Sequence, residues 1–300
     1  MSDLAKKVLA VSEKLKIKLD KDPVDFYSRR TKPLFTSPGT NSKGERIVFR
    51  VALSEVFNKH ISREIEIYKT AAELKLDHFP KLNENGKEGI HYWLTYNYIA
   101  GEPSGNTYLF GSKTDYSKIF VFLENMNHLG KILHKDTFSV FSKDKYLNLV
   151  DSIADKDMKL RELYRSQIDT IKNGVKDWNY DSFVHGDFHP QNIFASAKTM
   201  VVIDWELSHF NLKPFDYSFL WIRSQNQEVR DEVMKILSNV PKSQIYFVFS
   251  VNILRDLFEW HQIMNGKNSL MQLDSASVDA KKVVDDLAKN LNFFVDRLKN

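Results

Sequence analysis

Leu4, Val8, Val11 and Leu15 recur at helical spacing over Asp3–Leu15 and predict a packing helix near the start of the chain. Pro23 closes that region, and Asp25–Arg30 and Lys32–Thr36 then read as short strands. Ser37–Gly44 gathers Ser, Pro, Gly and Asn and predicts a turn. Arg46–Leu53 alternates cleanly, with Ile47, Phe49 and Val51 on one face and Val48, Arg50 and Ala52 on the other, so it predicts a strand. The period changes again at Asn58–Leu74, where Ile61, Ile65, Tyr68 and Ala72 form a helical stripe behind Asn58 as N-cap. Leu82–Gly89 reads as strand and turn around Asn85-Gly86. His91–Ile99 follows as an aromatic strand that Ala100-Gly101-Glu102-Pro103 interrupts.

From Asp115 the helical period dominates. Phe120–Leu133, Tyr146–Val175, Gln227–Ser238, Gln244–Gln262 and Ser277–Leu298 all predict helices, the last with Ala280, Val283, Val284, Leu287, Leu291 and Phe294 inward. Asn265–Ser277 reads as a polar loop. Within this half one stretch departs from the pattern. Ile193-Phe194 and Met200–Ile203 predict a hairpin turning at Ala195–Lys198. The hairpin would carry Asn192, at the start of one strand, toward Asp204, at the end of the other. Asp187 lies in the loop just before.

Composition narrows the class without changing this picture. A hydrophobic content of 42% against 27% charged residues suits a soluble globular chain with ample core. The net charge of +4 is spread along the chain with no Lys/Arg block, which argues against nucleic-acid binding. The absence of cysteine excludes disulfides and thiol chemistry. The longest apolar run, Ile245–Leu254, is broken by Ser250 and Asn252 and is too short to span a bilayer. With no apolar leader at the N-terminus, the expected location is cytoplasmic.

The chemistry sits in Phe183–Glu206. His185, Asp187 and Asn192 keep the spacing His-x-Asp-x-x-x-x-Asn, and Asp204 ends the following strand. Phosphoryl transfer needs a carboxylate to orient and deprotonate the attacking hydroxyl, and oxygen ligands to hold Mg²⁺ against the phosphates. Asp187 fits the base, and Asn192 and Asp204 fit the metal ligands. A zinc site is disfavoured, because no further His or Cys follows at zinc spacing.

His185-Gly186-Asp187-Phe188-His189-Pro190-Gln191-Asn192, followed by Ile203-Asp204-Trp205-Glu206, resembles the aminoglycoside phosphotransferase and choline kinase family of small-molecule kinases. The resemblance implies an α+β, bilobal, protein-kinase-like fold, with a small β-rich N-lobe (1–97) and a larger, mostly helical C-lobe (98–300). Their hinge would fall near 97–101. It also implies ATP, or GTP, together with Mg²⁺, and a small hydroxyl acceptor: an amino alcohol, a sugar or an aminoglycoside. Where the family strand carries a phosphate-contacting Lys, this chain has Arg50, which keeps the charge on a longer, forked side chain. Glu64 would pair with Arg50, and Lys32 is a second candidate for the phosphates. The segment holding Tyr96 and Tyr98 would hold the nucleotide base through its backbone. No Gly-rich phosphate loop is visible, and Ser28–Thr31 is the only weak substitute. Leu133-His134 and Asp216 match the family as structural positions; Glu206 either assists the metal or anchors its loop.

Two features bear on the acceptor. Acidic and basic residues balance over Trp205–Asn300, which does not favour a polycationic aminoglycoside. Trp205, Phe210, Phe215, Tyr217, Trp221, Phe258 and Trp260 lie near Asp256 and Glu259 in the same stretch. They fill core or line an amine site through cation–π contact. The alternative reading of the whole chain is a nucleotide-binding regulatory module with little catalysis. Arg50 and the missing Gly-rich loop motivate it.

Overall fold

The structure is a computed structural model that describes residues 2–28, 31–106, 108–196, 199–266 and 279–299. The chain forms two compact units. The first comprises Met1–Glu102, Lys131–Thr137 and Ile193–Leu207; the second comprises Pro103–Gly130, Phe138–Asn192 and Ser208–Asn300.

The first unit is built on an antiparallel five-stranded sheet. Its strands are β1 (Lys18–Leu19), β2 (Leu34–Thr40), β3 (Arg46–Ala52), β4 (Leu82–Glu88) and β5 (His91–Asn97), in the order β1-β2-β3-β5-β4. The alternation in β3 sets its two faces. Ile47, Phe49 and Val51 join Ala5, Val8 and Val11 of the helix Asp3–Lys14 in one apolar cluster. On the other face Val48, Arg50 and Ala52 are buried as well. The helix Glu55–Glu73 buries Ile61, Glu64, Ile67, Tyr68 and Ala71. Arg50 is therefore not a solvated strand arginine: it is only 4% exposed.

Several local expectations fail here. Residues 25–28 belong to a short helix, Pro23–Ser28, rather than a strand. Ser37-Pro38-Gly39-Thr40 lies inside β2 and pairs with Arg46–Phe49, so the turn begins only at Asn41. Asn85-Gly86 lies inside β4, paired with Leu94 and Trp93. In each strand, ladder hydrogen bonds along the whole length outweigh a local turn preference. Asn58 is not the helix cap, since the N-cap is Ser54. Instead the Asn58 amide donates to the Ile90 carbonyl and accepts from Tyr92 N–H, fastening the helix to the β4–β5 turn. The hairpin of Ile193–Ala195 and Met200–Val202 also belongs to this unit, with Ile193 opposite Val202. Residues 29–30, 197–198 and 267–278 carry parts of the phosphate-loop, hairpin-turn and polar-loop expectations and lie outside the described residues.

The second unit is mainly helical. Its centre is Lys242–Met264, which is buried without a break from Phe247 through Leu254. Against it pack Pro214–Arg223 and the amphipathic Ala280–Leu298, which buries Val284, Leu287, Leu291 and Phe294. Phe294 closes the contact against Phe249 and Trp221, with ring centroids 5.0 and 5.3 Å away. A two-stranded ribbon, Ser182–Val184 with His209–Asn211, holds the start of the loop that carries Asp187. Among the described residues no helix is long and apolar enough to cross a membrane.

Candidate functional site

In the first unit Arg50 organises a buried charge cluster. Its Nη1 donates to Glu64 Oε1 at 2.9 Å and its Nη2 to Asp204 Oδ1 at 3.1 Å. Tyr68 donates its hydroxyl to the same Glu64 oxygen at 2.6 Å. Burial opposes the Arg50 charge, but the facing Glu64 and Asp204 carboxylates overcome it and hold the guanidinium more firmly protonated than usual. Burial in turn pushes the Glu64 carboxyl up, against the pull of Arg50 and the Tyr68 hydroxyl. The Arg50–Glu64 pair is the one the family resemblance implies. The resemblance does not show that the second arm of the guanidinium grips Asp204.

Asp204 follows directly on the hairpin and has φ of 65°, a left-handed conformation that Asp tolerates better than most residues. It leads into the short 3₁₀ turn Trp205–Leu207. Trp205 anchors that turn: its ring is fully buried and stacked on Phe79 at 5.0 Å. Glu206 is tied at both ends. Its backbone carbonyl accepts from His60 Nδ1 at 2.7 Å, and its Oε1 accepts from Lys32 Nζ at 2.5 Å. Its Oε2 is buried without a hydrogen bond, 4.0 Å from Arg50 Nη2. Lys32 is therefore engaged by a carboxylate beside the Arg50 cluster. Tyr96 is buried edge-on to Tyr68 within that cluster, where burial pushes its hydroxyl up. Tyr98 lies apart, 44% exposed, its ring 4.9 Å from the Arg46 guanidinium.

The second unit holds the other candidates. Gly186 adopts φ of 84°, a conformation open chiefly to glycine, and turns the chain into the loop. Two backbone amides at this bend, His185 N–H and Gly186 N–H, donate to the Asp216 carboxyl at 2.6 and 3.2 Å. Pro214 opens the helix that presents Asp216. Asp216 is fully buried, and burial outweighs the two amides and pushes it up to about 7. Phe188 fixes the loop from below, stacked on Phe122.

Asp187 sits above this brace. Asn192 Nδ2 donates to its backbone carbonyl at 3.0 Å and to Oδ2 at 3.4 Å, and His189 Nε2 lies 3.5 Å from the same Oδ2. Burial would raise the Asp187 carboxyl, but the contacts with His189, and the charges of His185 and Arg223, bring it below its ordinary value. The group is therefore held as a carboxylate beside Asn192 and His189. The structure brings Asp187 and Asn192 together in one unit, and Arg50, Glu64 and Asp204 together in the other.

Asp204 and Glu206 in the first unit, and Asn192 in the second, are oxygen donors of the kind that suits a hard cation such as Mg²⁺. No group of three or more His, Asp or Glu among the described residues forms a ready metal cage. The orphaned Glu206 Oε2 is the unsatisfied oxygen such a cation would relieve.

The aromatic residues singled out near Asp256 are mostly core. Trp205, Phe210, Phe215, Tyr217, Phe258 and Trp260 are all buried. Asp256 is itself engaged, accepting from Arg223 Nε and Nη2 at 3.4 Å each. This pair is missing from the sequence reading because it joins two helices and no local pattern signals it.

Comparison with known proteins bears on the same loop. The model of the phosphotransferase enzyme family matches residues 159–236, which include Asp187, Asn192, Asp204 and Asp216. No curated protein matches the chain in sequence. Solved structures do match along nearly its whole length. The GDP complex of aminoglycoside 2'-phosphotransferase-IIIa aligns with a TM-score of 0.60 at 11% identity, covering 99% of both chains. An amicoumacin kinase in complex with AMP-PNP and Ca²⁺ aligns at 0.60 and 11% identity, covering 97% of this chain and 93% of its own. A choline kinase from Cryptosporidium parvum Iowa II aligns at 0.56 and 13% identity, covering 97% and 96%. At such identities the likeness is one of fold: a sheet-based unit and a helical unit, as in these kinases.

Proposed function

We propose that this chain, whose residues 159–236 match the phosphotransferase enzyme family, moves the γ-phosphoryl group of ATP or GTP to a hydroxyl of a small molecule. Asp187 is the base. The acceptor oxygen forms a bond to the γ-phosphorus, the bond from that phosphorus to the β–γ bridging oxygen breaks, and the hydroxyl proton passes to the Asp187 carboxylate. The nucleoside diphosphate leaves with the bridging oxygen. The observation that carries this reading is the Asp187 carboxylate itself, held ionised and oriented by His189 and Asn192.

Asn192 and Asp204 would hold Mg²⁺, with Glu206 beside Asp204. When bound, the ion supplies neutralisation of charge at the phosphate oxygens. Arg50 would bind phosphate oxygens through the Nη2 arm that now rests on Asp204, while Glu64 keeps Nη1 in place. The nucleotide base would lie on the backbone around 97–101, since the Tyr96 ring is buried.

Asp187→Asn tests the role of the base. Turnover should fall by about two to four orders of magnitude, with nucleotide affinity unchanged in equilibrium titration. A variant with full turnover would remove Asp187 from the mechanism. One observation favours a second reading, a nucleotide-binding module with little catalysis: both terminal nitrogens of Arg50 are already engaged by carboxylates. Tight nucleotide binding with no transfer to a panel of amino alcohols, sugars and aminoglycosides would establish it.

A further inference from the structure

Asp204 has a backbone that needs outside support. Its φ of 65° puts a non-glycine residue in the left-handed region, which persists only where the surrounding structure fixes it. Part of the support is local. Before it, Val202 N–H donates to the His78 carbonyl at 2.9 Å. After it, Trp205 is buried against Phe79 and donates its indole N–H to the Val202 carbonyl at 3.1 Å.

The rest of the support comes from the helix Glu55–Glu73. His60 and Glu64 stand four residues apart on it and share one face. Glu64 accepts from Arg50 Nη1 at 2.9 Å, and Arg50 Nη2 donates to Asp204 Oδ1 at 3.1 Å. His60 Nδ1 bonds the Glu206 carbonyl at 2.7 Å. A carbonyl only accepts, so Nδ1 carries the proton of this bond. The contacts form a closed circuit: Asp204, Arg50, Glu64, one turn of helix, His60, Glu206, and back along the chain to Asp204. All of it lies within the first unit.

Two further side chains steady the His60 end. The Phe57 ring lies 5.3 Å from the His60 ring. Lys32 Nζ stands 5.6 Å from the centre of the Phe57 ring and donates to Glu206 Oε1 at 2.5 Å. Glu206 is therefore gripped through its backbone by His60 and through its carboxylate by Lys32.

We propose that His60 is a positioning residue for Asp204. It fastens the Glu206 carbonyl to the helical face that also fastens Arg50, and so sets where the Asp204 carboxylate stands against the guanidinium. His60 acts only through the turn, and what it contributes is the N–H donor at the Nδ1 position. The consequence for a metal ion deepens the kinase reading above and rests on it; the clamp itself does not.

His60→Phe keeps a ring against Phe57 and removes the donor. His60→Asn restores an N–H close to the Nδ1 position, and His60→Gln carries its amide one bond too far. Mn²⁺ binding in the presence of ADP, followed by the electron paramagnetic resonance of the free ion, should weaken about tenfold in His60→Phe and in His60→Gln, as on loss of a hydrogen bond that orients a ligand. It should recover in His60→Asn, while ADP affinity without divalent ion stays constant throughout. Unweakened Mn²⁺ binding in His60→Phe overturns the proposal, and so does a folded His60→Asn protein that recovers nothing. If His60→Phe does not fold, His60→Gln takes its place in each comparison. The indole proton of Trp205 gives a readout that needs no metal. Its exchange with deuterated solvent, followed by NMR, should quicken several-fold in His60→Phe relative to amides of the helix Lys242–Met264, and slow again in His60→Asn. Equal exchange in wild type and His60→Phe overturns the clamp. Failure of the kinase reading would look different: wild-type protein would bind no Mn²⁺ with ADP, while the indole exchange still followed the donor at residue 60.

Discussion

Arg50 shows how much one side chain can organise. A guanidinium buried to this degree loses its hydration, and only matched carboxylates make that tolerable. Glu64 and Asp204 supply the match, one on each terminal nitrogen. Glu64→Gln would remove the deeper partner while leaving the cation in place. We expect it to lower unfolding free energy by roughly 3–5 kcal/mol, the range for breaking a buried pair from one side, measured by urea denaturation. A loss under about 1 kcal/mol, the worth of an exposed pair, would mean that Asp204 alone suffices. The Arg50–Glu64 pair is legible through the family resemblance, with both partners on regular elements whose periods the sequence shows. Lys32 with Glu206 is not legible, since the two lie 174 residues apart and Glu206 sits on an irregular turn. Arg223 with Asp256 is equally hidden, because nothing local says which turns of two helices will meet.

At the scale of elements, the helix Pro214–Arg223 acts on the loop that carries Asp187 through one carboxyl. Asp216 accepts the amides of His185 and Gly186 and fixes the bend that leads to Asp187. Its folded-state value of about 7 stands above the ordinary 3.8. The folded protein therefore holds this proton more tightly than the unfolded chain does. The contribution is fully present below pH 3.8 and is lost as pH rises through about 7. Unfolding free energies measured between those limits should contain a falling component that Asp216→Asn removes; an unchanged slope in the variant would assign the component elsewhere. The loop around Asp187 is readable at this scale because its residues keep a fixed local spacing. The strands around Ser37-Pro38-Gly39 and Asn85-Gly86 are not, because sheet pairing overrides the turn chemistry of those residues.

For the whole molecule, the chain folds into a sheet-based and a mainly helical unit, and the fold agrees with that of the solved kinases. The path of the chain is less visible. It passes from one unit to the other after Glu102, Gly130, Thr137, Asn192 and Leu207. The first unit accordingly borrows Ile193–Leu207 from far along the sequence. Trp205 in that segment covers Phe79, and Met200 gives its carbonyl to His78. A fragment of residues 1–102 lacks both, and we expect it not to fold cooperatively by circular dichroism and thermal melting. A sharp melt in that fragment would show the borrowed segment to be dispensable.

This interleaving limits how the protein can change by recombination. A crossover near residue 100 would exchange most of the sheet but leave Asp204 on the recipient's side of the cut, separated from the Arg50 that it pairs with. A donor sheet would arrive with its own residue at the Arg50 position and meet a foreign carboxylate. Point substitution around a fixed thread is the easier route to diversity in a chain built this way, and chimeras for engineering need five junctions, one after 102 and a pair bracketing each of 131–137 and 193–207.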